Sequence, residues 1–237
     1  MKTNGVIKFV AHSRTVLSIA LQHGWKSGAR YTNLRDVRHL TGLGFLDIDW
    51  QNYSFDRHLN AARAFRPLMT VARDVMDRGQ LETILHEASL LARHSQHVVV
   101  VPKDPRLKNA IGKLIPPEFV LGYSVPTRYG ATEIMPQAFK GRVHLLGGRP
   151  DVQRRLADAM NVVSVDCNRF TLDAAFGDYF DGDIFRPHPQ GGYQRCLRDS
   201  ILNINRLWET YNSKGGLPNE RSRRSVHHRR TCESQQE

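Results

Sequence analysis

The stretch RVHLLGGRPDVQRRLADAMNVVSVDCN, residues 142–168, decides the fold. It begins and ends with short β-rich runs, RVHLLGG and VVSVDCN. Between these runs, Val152, Leu156 and Ala159 fall at the spacing of one apolar helix face. A strand, a helix and a second strand in this order predict two parallel strands joined by a crossover helix.

The same unit recurs along the chain. Helix-compatible stretches, among them TVLSIALQHG, FDRHLNAARAF, LETILHEASLLARHS and PRLKNAIGKL, alternate with further β-rich runs. The β-rich runs cover residues 6–12, 29–34, 44–50, 67–74, 97–104, 119–126, 142–148 and 162–168. Eight such units favour a compact TIM-like (β/α)8 barrel over an open doubly wound sheet, whose Gly-rich phosphate fingerprint is absent after the first run.

After the eighth run, the sequence predicts a loop and then a helix. DAAFGDYFDGDIFRPHPQGG, residues 173–192, is rich in Gly, Pro and aromatic residues, which is typical of a loop. YQRCLRDSILNINRLWETY, residues 193–211, is predicted as a helix that closes the barrel. Its apolar stripe consists of Leu197, Ile201, Ile204 and Trp208. We therefore expect one catalytic barrel domain, residues 1–213, followed by a disordered basic tail, residues 214–237.

The charge balance predicts a polyanionic partner. The 237 residues include 34 Lys and Arg against 23 Asp and Glu, a formal net charge of +11. The tail accounts for little of this excess, because it holds six basic and three acidic residues. The barrel domain is therefore itself basic, and a basic surface of this kind is typical of proteins that bind nucleic acid.

Other sequence features indicate a cytoplasmic protein. No apolar run approaches the roughly 20 residues that span a bilayer, and the N-terminus lacks the apolar stretch of a signal peptide. The three cysteines, Cys167, Cys196 and Cys232, are far apart and form no CxxC pair. This spacing argues against a disulfide framework and against a structural zinc site. The sequence predicts neither a metal nor a cofactor.

Carboxylates gather where the predicted strands end. Asp47 and Asp49 alternate with apolar residues, so both point to one face of their strand. Asp74 and Asp166 end two other runs. In this architecture the chemistry lies at the carboxyl ends of the strands. Two carboxylates in one pocket suit cleavage of a glycosidic bond, including an N-glycosidic bond whose leaving group is a nucleobase.

These residues carry a family resemblance. Residues 142–170 look like the segment of tRNA-guanine transglycosylases, and of their DNA-modifying relatives, in which a Gly-rich turn, a helix and a strand ending in Asp succeed one another. The resemblance implies that Asp166 is the nucleophile and that Asp49, with Asp47 in reserve, is the general acid/base. It also implies a base pocket formed by Asp74, which reads guanine, together with Ser124, Gly147 and Gly148.

Departures from the family pattern favour DNA over tRNA as the substrate. The tRNA enzymes carry a Cys3His zinc insertion that this chain lacks, and DWQ replaces their DSG-like motif. The chain looks most like the compact phage or archaeal relatives that exchange guanine in DNA for a 7-deazaguanine. The resemblance therefore implies DNA and a 7-deazaguanine base as co-substrates, in host cytoplasm for a virus-encoded enzyme. Candidate phosphate contacts near the same rim are Arg14, Lys103, Arg128, Arg149 and Arg169.

Three alternatives remain at the level of sequence. An N-glycosidase on the same barrel would hydrolyse the bond instead of exchanging the base, and a non-catalytic barrel would only bind nucleic acid. A metal hydrolase would use His12, Asp49 and Asp166 as ligands, although no HxH pair or HExxH helix supports it. His144 is interpreted as a packed or hydrogen-bonded strand residue, and His188 and Tyr193 as candidates for a lid.

Overall fold

Eight parallel strands close into a barrel in the computed structural model, which describes residues 5–127 and 131–214. Each strand pairs with its neighbours in sequence, and the eighth pairs with the first. The strands are β1 (Ile7–Val10), β2 (Lys26–Arg30), β3 (Phe45–Asp47), β4 (Met69–Val71), β5 (His97–Val100), β6 (Val120–Ser124), β7 (Arg142–Leu146) and β8 (Asn161–Asp166). The predicted (β/α)8 barrel is confirmed.

The barrel is surrounded by helices that bury one apolar face. They are α1 (Arg14–Gln22), α2 (Phe55–Phe65), α3 (Leu81–Leu91), α4 (Ile111–Leu114), α5 (Pro150–Leu156), α6 (Arg169–Ala175) and α7 (Tyr193–Glu209). Short 3-10 helices cover Arg35–Val37, Arg78–Gln80, Pro105–Leu107 and Pro136–Ala138. The described residues contain no helix that is long and apolar enough to cross a membrane.

The last helix, α7, closes the barrel as predicted. It packs against α1, α5 and α6 and buries the stripe that includes Leu197, Ile201 and Trp208. The side chain of Asn205 on α7 accepts a hydrogen bond from the Trp25 indole at 2.9 Å and donates one to the His23 carbonyl at 3.0 Å. These bonds join α7 to the turn between α1 and β2, at the opposite end of the chain.

The barrel interior is filled by side chains of alternate strands, as the small circumference of an eight-stranded barrel requires. The rings of Phe9 on β1 and Phe45 on β3 lie 5.3 Å apart, and the imidazole of His144 on β7 lies 5.0 Å from Phe45. Asp47 follows Phe45 by two residues and Asp166 follows Ser164 by two residues. Both carboxylates therefore point inwards at the mouth of the barrel.

Two elements differ from the sequence prediction. The second strand covers Lys26–Arg30 instead of residues 29–34. The sequence pattern missed it because KSGAR lacks the β-branched and aromatic residues that indicate a strand. β2 packs closely on the residue before β3, Gly44, because a Cβ added there would lie 2.6 Å from Lys26 Cβ.

The prediction of a loop over residues 173–192 was also wrong. It contains the end of α6 and a two-stranded hairpin, β9 (Asp178–Phe180) and β10 (Phe185–Pro187). The hairpin forms because Phe180 packs on Phe185 and is buried beneath α7, where Ser200 accepts its backbone N–H at 2.9 Å. Of the predicted tail, Lys214 exchanges two 2.7 Å hydrogen bonds with Asn161, and residues 215–237 lie outside the described residues.

A buried histidine ties the loop after β3 to the barrel. The Thr70 hydroxyl donates to the Leu46 carbonyl at 2.8 Å, so His58 Nε2 must donate to Thr70 at 2.7 Å. The other ring nitrogen, Nδ1, then accepts from the Tyr53 hydroxyl at 3.3 Å, and Tyr31 stacks on the ring. Burial without an anionic partner lowers the pKa of His58 to about 4.

We therefore expect His58 to weaken the fold in acid. Because the unfolded chain binds a proton near pH 6.5 and the folded chain does not, stability falls as the pH drops from about 6.5 towards 4. Relative to His58→Gln, which keeps an N–H donor for Thr70, the wild type should lose about 2 to 3 kcal/mol between about pH 7.5 and pH 4.5. Urea unfolding at both pH values measures this difference. If the wild type and His58→Gln differ in unfolding free energy by the same amount at both pH values, His58 is not buried as a neutral ring.

Candidate active site

The mouth of the barrel is the candidate active site. Asp166 is the last residue of β8, and Asp47 is the last residue of β3. Strands β1 and β2 lie between them in the closed sheet, so the two carboxylates approach the lumen from different sides of the mouth. The side chain of Asp166 is 17% exposed and that of Asp47 is 31% exposed. Both are recessed, and both are open to a small molecule that enters the mouth.

Asp166 is held by a backbone donor and lies next to a buried imidazole. Its Oδ1 accepts the backbone N–H of Gly147 at 3.0 Å and lies 3.3 Å from His144 Nε2. Beneath it, the buried amide of Gln153 donates to the Gly147 carbonyl at 2.7 Å and to the Asp166 carbonyl at 2.8 Å. Gln153 therefore fixes the end of β8 relative to the turn that follows β7, and the carboxylate is oriented before any ligand binds.

The turn after β7 needs both of its glycines. Gly147 and Gly148 have φ angles of +62° and +88°, in the left-handed region. A Cβ on Gly148 would also lie 2.3 Å from Val125 Cγ1. Only glycine at this position lets the backbone pass Val125 and direct the Gly147 N–H at Asp166. The Gly-rich turn thus has a positional role in addition to the predicted one in the base pocket.

A chain of polar groups runs from Asp166 into the barrel interior. His144 is fully buried; its Nε2 faces Asp166 and its Nδ1 lies 2.8 Å from the Ser164 hydroxyl. That hydroxyl also lies 3.6 Å from Met69 Sδ and can donate to either neighbour. The chain therefore accommodates both a neutral and a protonated imidazole without leaving a ring nitrogen unpaired. His144 is thus packed and hydrogen-bonded, as the sequence predicts, and the identity of its partners, Ser164 and Asp166, comes from the structure.

Asp47 has a strongly perturbed carboxyl group. Removal of water at the barrel mouth and the negative charge of Asp166 raise the pKa of Asp47 to about 7, and Asp74 adds to the rise. The Ile48 N–H, which donates to Oδ1 at 2.8 Å, and the Arg30 guanidinium, 4.0 Å from Oδ2, oppose it. Near neutral pH, Asp47 therefore holds its proton for part of the time, as a general acid must.

Asp74 lies in an ion pair. Its carboxylate is 2.7 Å from Lys103 Nζ, and both side chains are about four-fifths buried. The segments that carry them are joined by a bridge between Val75 and Pro102 and by the Lys103 N–H, which donates to the Val75 carbonyl. Two residues that the sequence assigned to different tasks, base recognition and phosphate contact, are thus brought together.

A cavity of about 410 Å³ opens beside Asp47. It is formed by the ends of β2 and β3 and by the loops after β1, β2 and β8. Its polar lining includes His12, Ser13, Arg30, Asn33, Asp47 and Asn168. The size suits a nucleobase or a nucleotide, and the lining offers donors as well as acceptors.

The remaining predicted residues lie around the rim. Asp49 is two residues beyond the end of β3, and its charge is not among the influences on Asp47. In residues 5–127 and 131–214, the Ser124 hydroxyl has no hydrogen-bond partner, while its backbone N–H bonds to Thr132 at 3.0 Å. Arg128 lies outside the described residues. The geometry favours Asp47 over Asp49 as the partner of Asp166.

Three of the arginines predicted to contact phosphate, those within the described residues, are engaged with carboxylates. Arg14 lies 3.9 Å from Asp36, while Arg149 and Arg169 are paired with Asp151 and Asp173 at 2.9 and 2.7 Å. The Arg149 and Arg169 guanidinium groups also lie 5.8 and 5.9 Å from the centre of the Phe185 ring. They anchor the β9–β10 hairpin at the rim, so their role is at least partly structural. His188, the lid candidate, is bonded to Asp199 on α7 at 2.9 Å.

Within the described residues, no three His, Cys, Asp or Glu side chains come together as metal ligands. His12, Asp49 and Asp166, the ligand set of the metal-hydrolase alternative, are therefore not gathered at one point. Sequence reasoning missed Gln153 and Ser164. Gln153 follows Val152 on the predicted amphipathic helix, but nothing in the sequence pattern distinguishes it from a solvent-exposed glutamine.

Comparison with known proteins places the chain in a family. Residues 20–209 match a family model described as "Family of unknown function (DUF6610)". The chain belongs to this family. No curated protein matches it. Among solved structures, the YdjI aldolase from Escherichia coli K12 is similar over 87% of this chain and 92% of its own, with a TM-score of 0.54 and 10% identity.

These similarities establish the fold and leave the activity open. At 10% identity, the likeness to the aldolase shows a shared barrel and nothing about substrate. In the aldolase, the same type of barrel forms an enzyme. The resemblance to guanine transglycosylases receives no support from the comparisons, so the chemistry has to be argued from the site.

The glycine turn offers a direct test of how Asp166 is positioned. Gly148→Ala should lower the melting temperature and any activity that depends on Asp166, because the new Cβ displaces Val125 or the turn. Gly24→Ala is a matched control, since Gly24 has a φ of +82° and no heavy atom of the described residues within 4 Å of its added Cβ. Thermal unfolding should show a loss of about 1 kcal/mol for the control and clearly more for Gly148→Ala. Equal losses would mean that the Val125 contact does not matter.

Proposed function

We propose that this protein exchanges guanine for a 7-deazaguanine at an N-glycosidic bond of nucleic acid, with DNA as the preferred acceptor. The observation that carries the proposal is the pair of unlike carboxylates at the barrel mouth. Asp166 accepts hydrogen bonds from Gly147 and approaches His144, whereas the pKa of Asp47 is raised to about 7. A nucleophilic carboxylate opposite a protonated one is the arrangement that glycosidic bond cleavage with a covalent intermediate requires.

In the first half-reaction, a carboxylate oxygen of Asp166 forms a bond to C1′ of the target nucleotide. The bond from C1′ to N9 of guanine breaks, and its electron pair leaves with the base. Asp47 delivers its proton to the departing guanine, which therefore leaves as a neutral molecule. The products are a glycosyl ester on Asp166, an Asp47 carboxylate and free guanine.

In the second half-reaction, the incoming deazaguanine occupies the place of guanine. Asp47, now ionised, takes a proton from the ring nitrogen that will be joined to the sugar. That nitrogen attacks C1′, the ester bond to Asp166 breaks, and both carboxyl groups return to their starting states. His144 is a positioning residue in this scheme, because it contacts the nucleophile and lies beneath the substrate instead of against it.

Base recognition involves the Asp74–Lys103 pair. The N1–H and amino group of guanine offer two donors that match a carboxylate such as Asp74. Lys103 occupies that carboxylate in the free protein at 2.7 Å. We infer that a bound guanine shares Asp74 with Lys103 or displaces it, which leaves the ammonium group available to a phosphate or to the carbonyl of the base.

We propose nucleic acid as the acceptor because the barrel domain is basic, and we infer the state of the target nucleotide from the depth of the two carboxylates. The barrel domain is basic even without the tail, and phosphates are the common polyanionic ligands of such surfaces. Since Asp47 and Asp166 are recessed within the mouth, a base that is paired in a duplex cannot reach them. The target nucleotide must be single-stranded or flipped out of the helix.

A hydrolytic N-glycosidase is the second candidate, and the same site favours it in one respect. Asp47 is partly exposed beside an open cavity, so water has access to the carboxylate that acts as the base in the second half-reaction. Hydrolysis would release guanine and leave an abasic site, whereas exchange would leave an intact nucleotide. The two reactions are therefore separated by their products.

The test is incorporation of radiolabelled guanine into single-stranded DNA, duplex DNA and tRNA. We expect label in DNA with the wild type and loss of at least about a thousandfold in rate with Asp166→Asn, because the nucleophile is removed. Asp47→Asn should lose rate at every pH. For the wild type, the first half-reaction should slow as the pH rises through about 7, since Asp47 must be protonated.

Several outcomes would overturn the proposal. Wild-type turnover by Asp166→Asn would remove the nucleophile. Release of guanine without incorporation of any added base would establish the glycosidase instead. Asp49→Asn is the matched control for Asp47, because it removes a rim carboxylate from the same loop, and it should retain most of the activity. A greater loss with Asp49→Asn than with Asp47→Asn would reverse the assignment of the acid.

A further inference from the structure

An exposed tryptophan stands on the loop that follows Asp47. Trp50 is 59% exposed, whereas Trp25 and Trp208 are each 2% exposed, and these three are all the tryptophans of the chain. Trp50 comes directly after Asp49 and three residues after Asp47. A large aromatic side chain left in water next to a catalytic carboxylate forgoes a substantial burial free energy, which points to a ligand that covers it.

The loop that carries Trp50 is held in place from beneath. The Tyr31 hydroxyl donates to the Asn52 carbonyl at 3.1 Å and accepts the Ser54 N–H at 2.9 Å. Between these two residues, the Tyr53 hydroxyl bonds to the buried His58 at 3.3 Å. The chain is thus fixed two residues beyond Trp50 and again at Asp47, where β3 ends. Trp50 is presented on a short, anchored segment, so ordering it in a complex costs little conformational entropy.

The loops on either side of Trp50 each carry an exposed arginine. In the closed sheet, β3 lies between β2 and β4, so the loops after those strands flank it. They present Arg38 and Arg78, which are exposed and have no ion-pair partner among the residues that the structure describes. This distinguishes them from Arg14, Arg149 and Arg169, which are paired. Met76, also on the loop after β4, adds a second exposed apolar side chain.

We propose that Trp50 stacks on a nucleobase of the bound strand, next to the nucleotide whose base enters the barrel mouth. An exposed aromatic ring on a loop whose two neighbouring loops each carry an exposed arginine matches a base flanked by two phosphates, since rings stack on bases and guanidinium groups bind phosphate. When a nucleotide leaves its stack, the neighbouring base loses a partner, and Trp50 replaces that partner. The inference rests on the proposed function for the identity of the ligand, and it adds the surface that holds the strand.

The position of Trp50 makes the test selective. Because Trp25 and Trp208 are buried, iodide quenching of tryptophan emission reports on Trp50. Binding of a single-stranded DNA of about 12 nucleotides should quench this emission and protect it from iodide. An oligonucleotide of the same length without bases keeps every phosphate and should cause neither change. The same sequence as RNA shows whether the surface prefers one sugar.

Variants separate stacking from charge. By fluorescence anisotropy, Trp50→Ala should weaken binding of the DNA about tenfold or more, and it should leave the weak binding of the base-free strand unchanged. Trp50→Phe, which keeps a ring, should stay within a few-fold of the wild type. Arg78→Gln should weaken binding of both strands, with a shallower dependence on salt.

The inference fails if DNA binds and neither the emission nor the affinity of Trp50→Ala changes, or if single-stranded nucleic acid does not bind at all. Its failure is distinguishable from that of the proposed function. Asp166→Asn should lose exchange and retain quenching by DNA. Quenching without any exchange activity in the wild type would remove the proposed reaction and keep the stacking surface. Exchange activity without any change in Trp50 emission on DNA binding would keep the proposed reaction and remove the stacking surface.

Discussion

The repulsion between Asp47 and Asp166 at the barrel mouth is the constraint around which the site is organised. Two carboxylates that share a recess poor in water cannot both ionise freely, so the proton stays on the one with weaker support. Asp166 accepts the Gly147 N–H and faces His144, while Asp47 has only the Ile48 N–H and a guanidinium 4.0 Å away. The two carboxylates are thus differently supported, and burial together with the neighbouring charge raises the pKa of Asp47 to about 7.

The barrel supports this asymmetry from below. Phe9 and Phe45 fill the lumen under Asp47 and give it no polar partner, whereas His144 occupies the corresponding layer under Asp166. The turn of Gly147 and Gly148 then adds a backbone donor, and Gln153 fixes that turn to β8. Each of these features is an ordinary packing choice in an eight-stranded barrel. Together they decide which carboxylate keeps its proton.

The repeated pattern of strands and helices was sufficient to predict the barrel and the closing helix, because apolar periodicity reports directly on burial. It was insufficient for β2, where KSGAR is held by its neighbours and has little strand propensity of its own. The hairpin over Asp178–Pro187 depends on contacts with α7, which local sequence does not report. At the site, the strand ends pointed to Asp47, Asp74 and Asp166, and the charges of Asp74 and Asp166 both act on Asp47. The contact from His144 to Asp166 depends on the register of β7 and β8, where an irregularity between Val143 and His144 sets Ser164 opposite His144. The Asp74–Lys103 pair likewise depends on how the loops after β4 and β5 bridge.

The most direct measurement of this account is the titration of Asp47 itself, followed by carbon NMR of aspartate side-chain carboxyl groups and assigned with Asp47→Asn. We expect a resonance that titrates at about 7 in the wild type and at a lower value in Asp166→Asn, because the neighbouring charge has been removed while the burial of Asp47 remains. If Asp47 titrates near its ordinary value of about 4 in both proteins, the two carboxylates do not interact, and neither the acid nor the proposed exchange mechanism stands.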